Sequence, residues 1–374
     1  MHASALAAIF EAFPDPVLVV GASRASGRRV MAFNAAARKA FPQLTGQPAL
    51  ASIIRRPDVL DLVEAALVGG KSGEAIYETG SAQDRRMQAI SRPLPPNDDG
   101  APLALLILRD ETEALRNERM RADFLANASH ELKTPLSSLA GFIETLRGHA
   151  KDDPVAREKF LGVMAEQADR MGRLIADLLS LSRIELDEHI PPSGEIDLAL
   201  CVQDVVQALQ TIAAKAEIRL ELAGAQSAMV RGEFHQVIQV IQNLVENAIK
   251  YGPAGSVVTV EVLASLNRHE LNIPNGADAA ALNLVEPDVD MAGGFAAVRV
   301  TDQGQGIARE HLPRLTERFY RVPGQKSGSA SGTGLGLAIV KHILSRHHGG
   351  LFVANLPGRG AAFTAYFPRG GGAG

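Results

Sequence analysis

The sequence predicts a multidomain chain: a small α+β module, an antiparallel helical hairpin, then a glycine-rich half in which helix and strand alternate. Three observations carry that expectation. Short strand-like runs separated by helical segments fill residues 1–112. Two narrow apolar stripes with helical spacing fill 113–190. Three stretches bearing asparagine, aspartate and glycine punctuate 195–370. A length of 374 residues accommodates two or three domains. The 46% hydrophobic and 21% charged content excludes a disordered chain, and a net charge of −4 offers no basic footprint for nucleic acid. The single cysteine, Cys201, excludes a disulfide framework and is read as a packing residue at the start of a helix. No run approaches the ~18 apolar residues of a spanning helix, and no charged segment precedes an apolar one at the start. The sequence as given therefore predicts a soluble, cytoplasmic chain.

In the first module, "PVLVV", "RRVMAFN", "AIYETG", "RRMQAISRPL" and "LALLILRD" have strand length and composition. "AAARKAF" and "RPDVLDLVEAALV", between the second and third, read as helices, and "PPNDDGAP" as a turn. The last strand passes at Asp110 and Thr112 straight into a charged helix. This order resembles a PAS domain, in which a strand ending in an Asp-x-Thr step feeds an output helix. The resemblance implies either a ligand-binding sensor or a module that only dimerises.

The hairpin follows. Leu125, Leu132, Leu136, Leu139, Ile143 and Leu146 recur at spacings of three, four and seven. Phe160, Met164, Gln167, Met171, Leu174, Leu178 and Leu181 form a second stripe, with Gln167 a polar interruption suited to fixing register. Gly148 stops the first helix and Asp153-Pro154 starts the second. Helices of ~40 Å are expected. Two narrow stripes on one hairpin cannot cover each other fully, so a second copy completing a four-helix bundle, a homodimer, is expected. Pro135 lies inside the first helix and removes the hydrogen bond to the Glu131 carbonyl, bending the helix just after His130. His130 lies off the stripe, with Thr134 one turn on along the same face.

Chemistry concentrates in the last part. In "QVIQNLVENAIKYG", Asn243 and Asn247 share a helix face although asparagine is a poor helix former. Their amide oxygens suit Mg²⁺ and Lys250 suits a phosphate; the alternative is helix-to-helix hydrogen bonding. In "VRVTDQGQGI", a buried strand ends at Asp302, followed by Gly304 and Gly306. A carboxylate there suits a ligand edge such as an adenine amino group; the alternative is a turn without a ligand. In "SGSASGTGLGLAIVKHIL", Gly332, Gly334 and Gly336, with Thr333 and Leu335 between them, open into an apolar helix whose N-terminal N–H groups suit phosphate. The loop is neither a Walker loop nor a dinucleotide-binding turn.

Together these stretches resemble the sensor histidine kinases of two-component systems. "SHELKTP" is similar to the phosphoacceptor box, "NLVENAIKYG" to the N box, "DQGQGI" to the first glycine box, "ERFYR" to the F box and "GTGLGLAIVKHI" to the second glycine box. The resemblance spans about 120–368. It implies a dimeric histidine-phosphotransfer hairpin followed by an ATP-binding α/β sandwich of the kind shared with gyrase and a heat-shock chaperone. It further implies that His130 is phosphorylated by ATP, that Glu131 orients the ring and takes its proton, and that Thr134 positions a water for dephosphorylating a partner. Lys133 would meet acidic groups or phosphate. Asn243, Asn247 and Lys250 would hold Mg²⁺ and the phosphates, with Asn247 as metal ligand. Asp302 would read adenine, with Tyr251 beside the base. Arg318 or Arg321, with Arg321 preferred, would reach the γ-phosphate. The implied partners are a second copy of the chain and a response regulator.

The PAS-like block joined directly to "FLANASHELKTPLSSLAGFIETL" resembles the phosphate-regulon sensor branch, which implies a link to phosphate-uptake machinery. Four features depart from the family, one of them minor: Ala361 stands where serine or threonine is commoner. Lys133 stands where arginine is commoner. "LNRHELNIPNGADAAALNLVEPDVDMAGG" replaces a short turn and reads as a surface loop. A membrane segment is missing, so the chain is either soluble or continues upstream with an anchor. Two rivals differ in class. A degenerate scaffold would have lost nucleotide binding, and a gyrase- or chaperone-type ATPase would be indifferent to loss of His130.

Overall fold

The structure, a computed structural model, describes residues 3–23, 27–79, 85–266, 281–287, 293–323, 332–356 and 360–370. The chain divides into two compact units, Met1–Leu125 and Ala126–Gly374. No helix among the described residues is long and apolar enough to cross a membrane.

The first unit holds α1 (Ala3–Ala12), β1 (Val17–Ser23), β2 (Gly27–Phe33), α2 (Ala35–Ala40), α3 (Leu50–Ile53), α4 (Pro57–Gly69), β3 (Gly73–Thr79), β4 (Arg85–Leu94) and β5 (Leu103–Asp110). Its strands form one antiparallel sheet in the order β2-β1-β5-β4-β3. Strict alternation along β5 buries Ala104, Leu106 and Leu108 on one face. Val59, Val63, Ala66 and Leu67 form the matching stripe of α4. That helix starts at Pro57 and stops at Gly70, whose φ of 57° suits a residue without Cβ. Asn34 is fully buried and fully used: its Oδ1 accepts from the N–H groups of Ala37 and Val17, and its amide donates to the carbonyls of Phe13 and Asp15. At the end of β5, Asp110 Oδ1 accepts from Thr112 N–H at 2.9 Å. The Thr112 hydroxyl accepts from Arg86 N–H, also at 2.9 Å, so the next helix is fastened to β4 at its first residue.

That helix, α5 (Thr112–Arg147), runs on through Pro135 into the second unit, and α6 (Pro154–Leu186) follows. With 36 and 33 residues they are about 54 and 50 Å long, longer than the ~40 Å expected. The excess in α5 is the charged segment after Thr112, which carries no helix breaker and continues the turns. Asp153 caps α6 by accepting from Val155 and Ala156 N–H. Phe142 and Phe160 stack at 5.4 Å between the two helices. Leu174 and Leu181 are buried, whereas Leu136 and Ile143 remain 57% and 45% exposed, so the apolar stripe of α5 is only partly covered within one chain.

The rest of the second unit contains β6 (Glu195–Asp197), α7 (Leu198–Lys215), β7 (Arg219–Gly224), β8 (Met229–Arg231), α8 (Phe234–Tyr251), β9 (Val257–Leu266), β10 (Ala281–Val285), β11 (Phe295–Thr301), α9 (Gly336–Arg346), β12 (Gly350–Leu356) and β13 (Gly360–Pro368). Six strands pair in the order β10-β12-β13-β11-β9-β7, antiparallel except for β7 beside β9, and β6 pairs with β8. Helices α7, α8 and α9 pack on this sheet through buried stripes such as Val237, Val240, Ile241, Leu244 and Val245. The segment expected to be a surface loop is in part a strand. Its residues Ala281–Val285 form the edge strand β10 along β12, and Ala281 packs on a small core of Phe295, Ala297, Phe352, Ala354 and Tyr366. Residues 267–280 and 288–292 of that segment lie outside the described residues.

Candidate nucleotide and phosphotransfer site

A cavity of about 1110 Å³ gathers the three chemistry-bearing stretches. Asn243, Asn247, Lys250 and Tyr251 of α8 line it, as do Asp302, Gly304 and Gly306 after β11, Gly332, Thr333 and Gly334 before α9, and Gly336 at its first residue. The opposite side of α8 is committed to the core through Val240, Ile241, Leu244 and Val245, which leaves the two amides and the lysine for the cavity. Leu335 is fully buried and anchors the glycine loop instead of lining the cavity. Residues 327–331 of that loop lie outside the described residues.

Asn243 and Asp302 each present here a polar atom without a hydrogen bond among the described residues. Asn243 Nδ2 is buried with no hydrogen bond among the described residues, a costly arrangement unless a ligand supplies an acceptor. Asp302 is 7% exposed, and its Oδ1 accepts from Gly304 N–H at 2.7 Å and Ala361 N–H at 3.3 Å. Oδ2 takes no hydrogen bond among the described residues. Burial pushes the Asp302 carboxyl upward, and the two backbone donors offset part of that. Side-chain-free backbone is required beside it: a Cβ at Gly304 would come within 2.7 Å of the Tyr251 carbonyl. Gly334 has a φ of 75°, and a Cβ there would meet Phe319 Cα at 2.9 Å. Phe319 itself is left-handed, with a φ of 62°, and its N–H donates to the Gly334 carbonyl at 2.9 Å. The F box and the glycine loop thus fix each other's backbone. Lys250 Nζ lies 4.9 Å over the Tyr251 ring.

The hairpin contributes a wall. Arg170, Arg173 and Asp177 of α6 also line the cavity. The Thr333 hydroxyl donates to Asp177 Oδ2 at 2.7 Å, tying the glycine loop to α6. Burial raises the Asp177 pKa, the Thr333 bond lowers it and nearby Glu246 raises it. Sequence reasoning misses these three residues, although their spacing of three and four marks one polar face of α6.

His130, Glu131 and Thr134 do not line the cavity. His130 is exposed, and its imidazole has no hydrogen bond among the described residues. The Thr134 hydroxyl donates to the His130 carbonyl at 3.2 Å. Glu131 pairs through Oε2 with Arg170 Nη2 at 2.8 Å rather than with the His130 ring. Of the two arginine candidates, Arg321 lines the cavity while Arg318 is ion-paired with Glu185 of α6. Below them His342 lies between Glu185 and Glu188 at 3.7 and 3.6 Å; burial depresses its pKa and the two carboxylates oppose that. Arg346, invisible in the sequence pattern, donates to the carbonyls of Asp187 and Ile190 just beyond α6 and pairs with Glu233 at 2.7 Å.

Residues 120–187 match the His Kinase A (phospho-acceptor) domain family, and residues 232–371 match the family of histidine kinase-, DNA gyrase B- and HSP90-like ATPases. The chain belongs to the sensor histidine kinases. Among curated proteins of this family, the phosphate regulon sensor protein PhoR of Pseudomonas aeruginosa is 35% identical over 263 residues, covering 70% of this chain and 53% of PhoR. The sensor-like histidine kinase SenX3 of Mycolicibacterium smegmatis is 33% identical over 271 residues, covering 72% of this chain and 63% of SenX3. The aligned part thus spans between half and two thirds of those relatives. Among solved structures, histidine kinase ThkA in complex with the response regulator protein TrrA superposes with a TM-score of 0.47 at 17% identity, over 97% of this chain and 98% of that one. Acinetobacter baumannii histidine kinase AdeS gives 0.45 at 23% identity, over 65% of this chain and 98% of that one.

Proposed function

We propose that this histidine kinase phosphorylates itself on His130 with ATP and passes the phosphoryl group to an aspartate of a response regulator. The observation that carries the proposal is the pair of polar groups, Asn243 Nδ2 and Asp302 Oδ2, that take no hydrogen bond among the described residues, in a glycine-lined cavity walled by the histidine hairpin's own α6. Asp302 Oδ2 would accept from the adenine amino group, and Tyr251 would flank the base. Lys250 and Arg321 would neutralise phosphate charge, and the N–H groups of Gly334 and Gly336 would face phosphate oxygens. Asn247, with Asn243 beside it, would hold Mg²⁺, which supplies charge neutralisation at the phosphates. His130 would attack the γ-phosphorus with one ring nitrogen while Glu131 orients the other and takes its proton. Thr134, one turn from His130, suits a water-positioning role in dephosphorylating the regulator.

Two finer readings accompany this. The first unit is a PAS-type sensor module, supported by its sheet order β2-β1-β5-β4-β3 and by the Asp110–Thr112–Arg86 junction that fastens α5 to the sheet. The chain acts as a homodimer in phosphate-linked signalling, supported by the open apolar stripe of the hairpin and by the likeness to PhoR. The scaffold alternative is not favoured, since every box residue it would have lost is present. Incubation with γ-labelled ATP and Mg²⁺ tests the proposal. Label is expected on the wild type, transferable to a regulator, and absent from His130→Gln and Asn247→Ala. Equal label on His130→Gln would refute it.

A further inference from the structure

Arg170 belongs to two sites. Its guanidinium donates through Nη2 to Glu131 Oε2 at 2.8 Å, and the same side chain lines the nucleotide cavity. The two side chains are 26% and 33% exposed, so the pair is partly sheltered from solvent screening. The other carboxylate oxygen, Oε1, has no partner among the described residues. A glutamate has a long, freely rotating side chain, and a base that must meet one ring nitrogen gains from having that freedom removed beforehand. An arginine on the neighbouring helix fixes it without occupying both oxygens.

We infer that Arg170 is a positioning residue for Glu131. It holds Oε2 from α6 and so aims Oε1 along α5 toward His130. In the transfer step one ring nitrogen of His130 bonds to the γ-phosphorus and the bond from that phosphorus to the bridging oxygen breaks. ADP leaves with the electron pair, and Glu131 Oε1 takes the proton from the other ring nitrogen. Arg170 holds the base in place before the step. Because α5 and α6 each carry one partner, a shift of one helix along the other changes the aim of the base. This inference rests on the roles given to His130 and Glu131 above.

The test is a double-mutant cycle on the full chain, with Arg170→Ala, Glu131→Gln and the combination. The autophosphorylation rate at saturating ATP is read beside the affinity for a fluorescent ADP analogue and the melting temperature. Positioned bases contribute about 10²–10⁴-fold, so Arg170→Ala is expected to slow the step by at least about tenfold. Because Arg170 also lines the cavity, nucleotide affinity is read separately, and its loss is expected to be smaller than the loss in rate. Arg170→Lys should recover part of the rate, and the double variant should be no slower than Glu131→Gln alone. Multiplicative losses in the double variant, or a loss confined to nucleotide affinity or melting temperature, would overturn the inference. If Glu131→Gln keeps the full rate, the role assigned to Glu131 fails. If Glu131→Gln is slow and Arg170→Ala is not, only the positioning role of Arg170 fails.

Discussion

Replacing Asp302 by Asn separates recognition of the nucleotide from stability of the fold. The wild-type carboxylate spends Oδ1 on Gly304 and Ala361 N–H, at 2.7 and 3.3 Å, and keeps Oδ2 for the cavity. An asparagine amide can keep its oxygen on those two donors, which places an NH₂ group where Oδ2 was. A donor would then confront the adenine amino group, itself a donor. The lost contact is a hydrogen bond to a charged acceptor, worth about 2–3 kcal/mol, so ATP affinity should fall about 30- to 150-fold. Stability should behave differently. Burial already raises the Asp302 pKa, meaning that the folded state disfavours the charged form, and a neutral isostere removes that cost. The melting temperature of Asp302→Asn without nucleotide should therefore equal or exceed that of the wild type. Titration with a fluorescent ATP analogue, beside thermal melts, reads both quantities. Affinity within about threefold of wild type would refute the adenine-reading role, since a charged contact is worth more than that.

His347 is buried as the tautomer that donates from Nδ1 to the Ile343 carbonyl and accepts at Nε2 from Glu233 N–H, and burial lowers its pKa to about 4. Between that value and the ordinary 6.5 the unfolded chain binds more protons, so stability is full above pH 6.5 and falls by up to about 3 kcal/mol as pH drops toward 4. Urea melts at several pH values should show this slope, and His347→Gln should flatten it. Arg346→Ala removes the Glu233 pair and the bonds to the Asp187 and Ile190 carbonyls, and should cost about 2 kcal/mol, with Glu233 free to rehydrate at 46% exposure. Differential scanning calorimetry measures that loss. Leu136→Glu with Ile143→Glu places charges on the open hairpin stripe, and light scattering should then give a mass near 39.7 kDa in place of twice that value.

Patterns that are local in sequence were legible. The strands β4 and β5 coincide with the runs of strand length and composition, and α6 begins where Asp153-Pro154 announces it. Asn243 and Asn247 stand out as two poor helix formers four apart on one helix face, and Asp302 as a carboxylate where a buried strand gives way to glycines. What escaped depends on tertiary neighbours. Arg170 and Asp177 read as ordinary solvated residues of an amphipathic helix until the glycine loop and Glu131 are seen against them. Arg346 ends an apolar helix like any basic C-terminal residue, and only the fold reveals that two carbonyls after α6 lie within its reach. The left-handed backbone of Phe319 has no sequence cue at all, because its cause is the Gly334 carbonyl from another segment. Strand β10 escaped because its five residues sit within a long Ala- and Asn-rich stretch with little periodicity.

The central claim is that phosphate from ATP comes to rest on His130. Its most direct test is to react the full chain with ATP and Mg²⁺ and locate the phosphate by tandem mass spectrometry under alkaline conditions, which preserve phosphohistidine. A phosphoryl group on His130, lost on acid treatment and absent from Asn247→Ala, is the predicted result. Phosphate on a serine, threonine or other histidine, or ATP hydrolysis that proceeds unchanged in His130→Gln, would contradict the account.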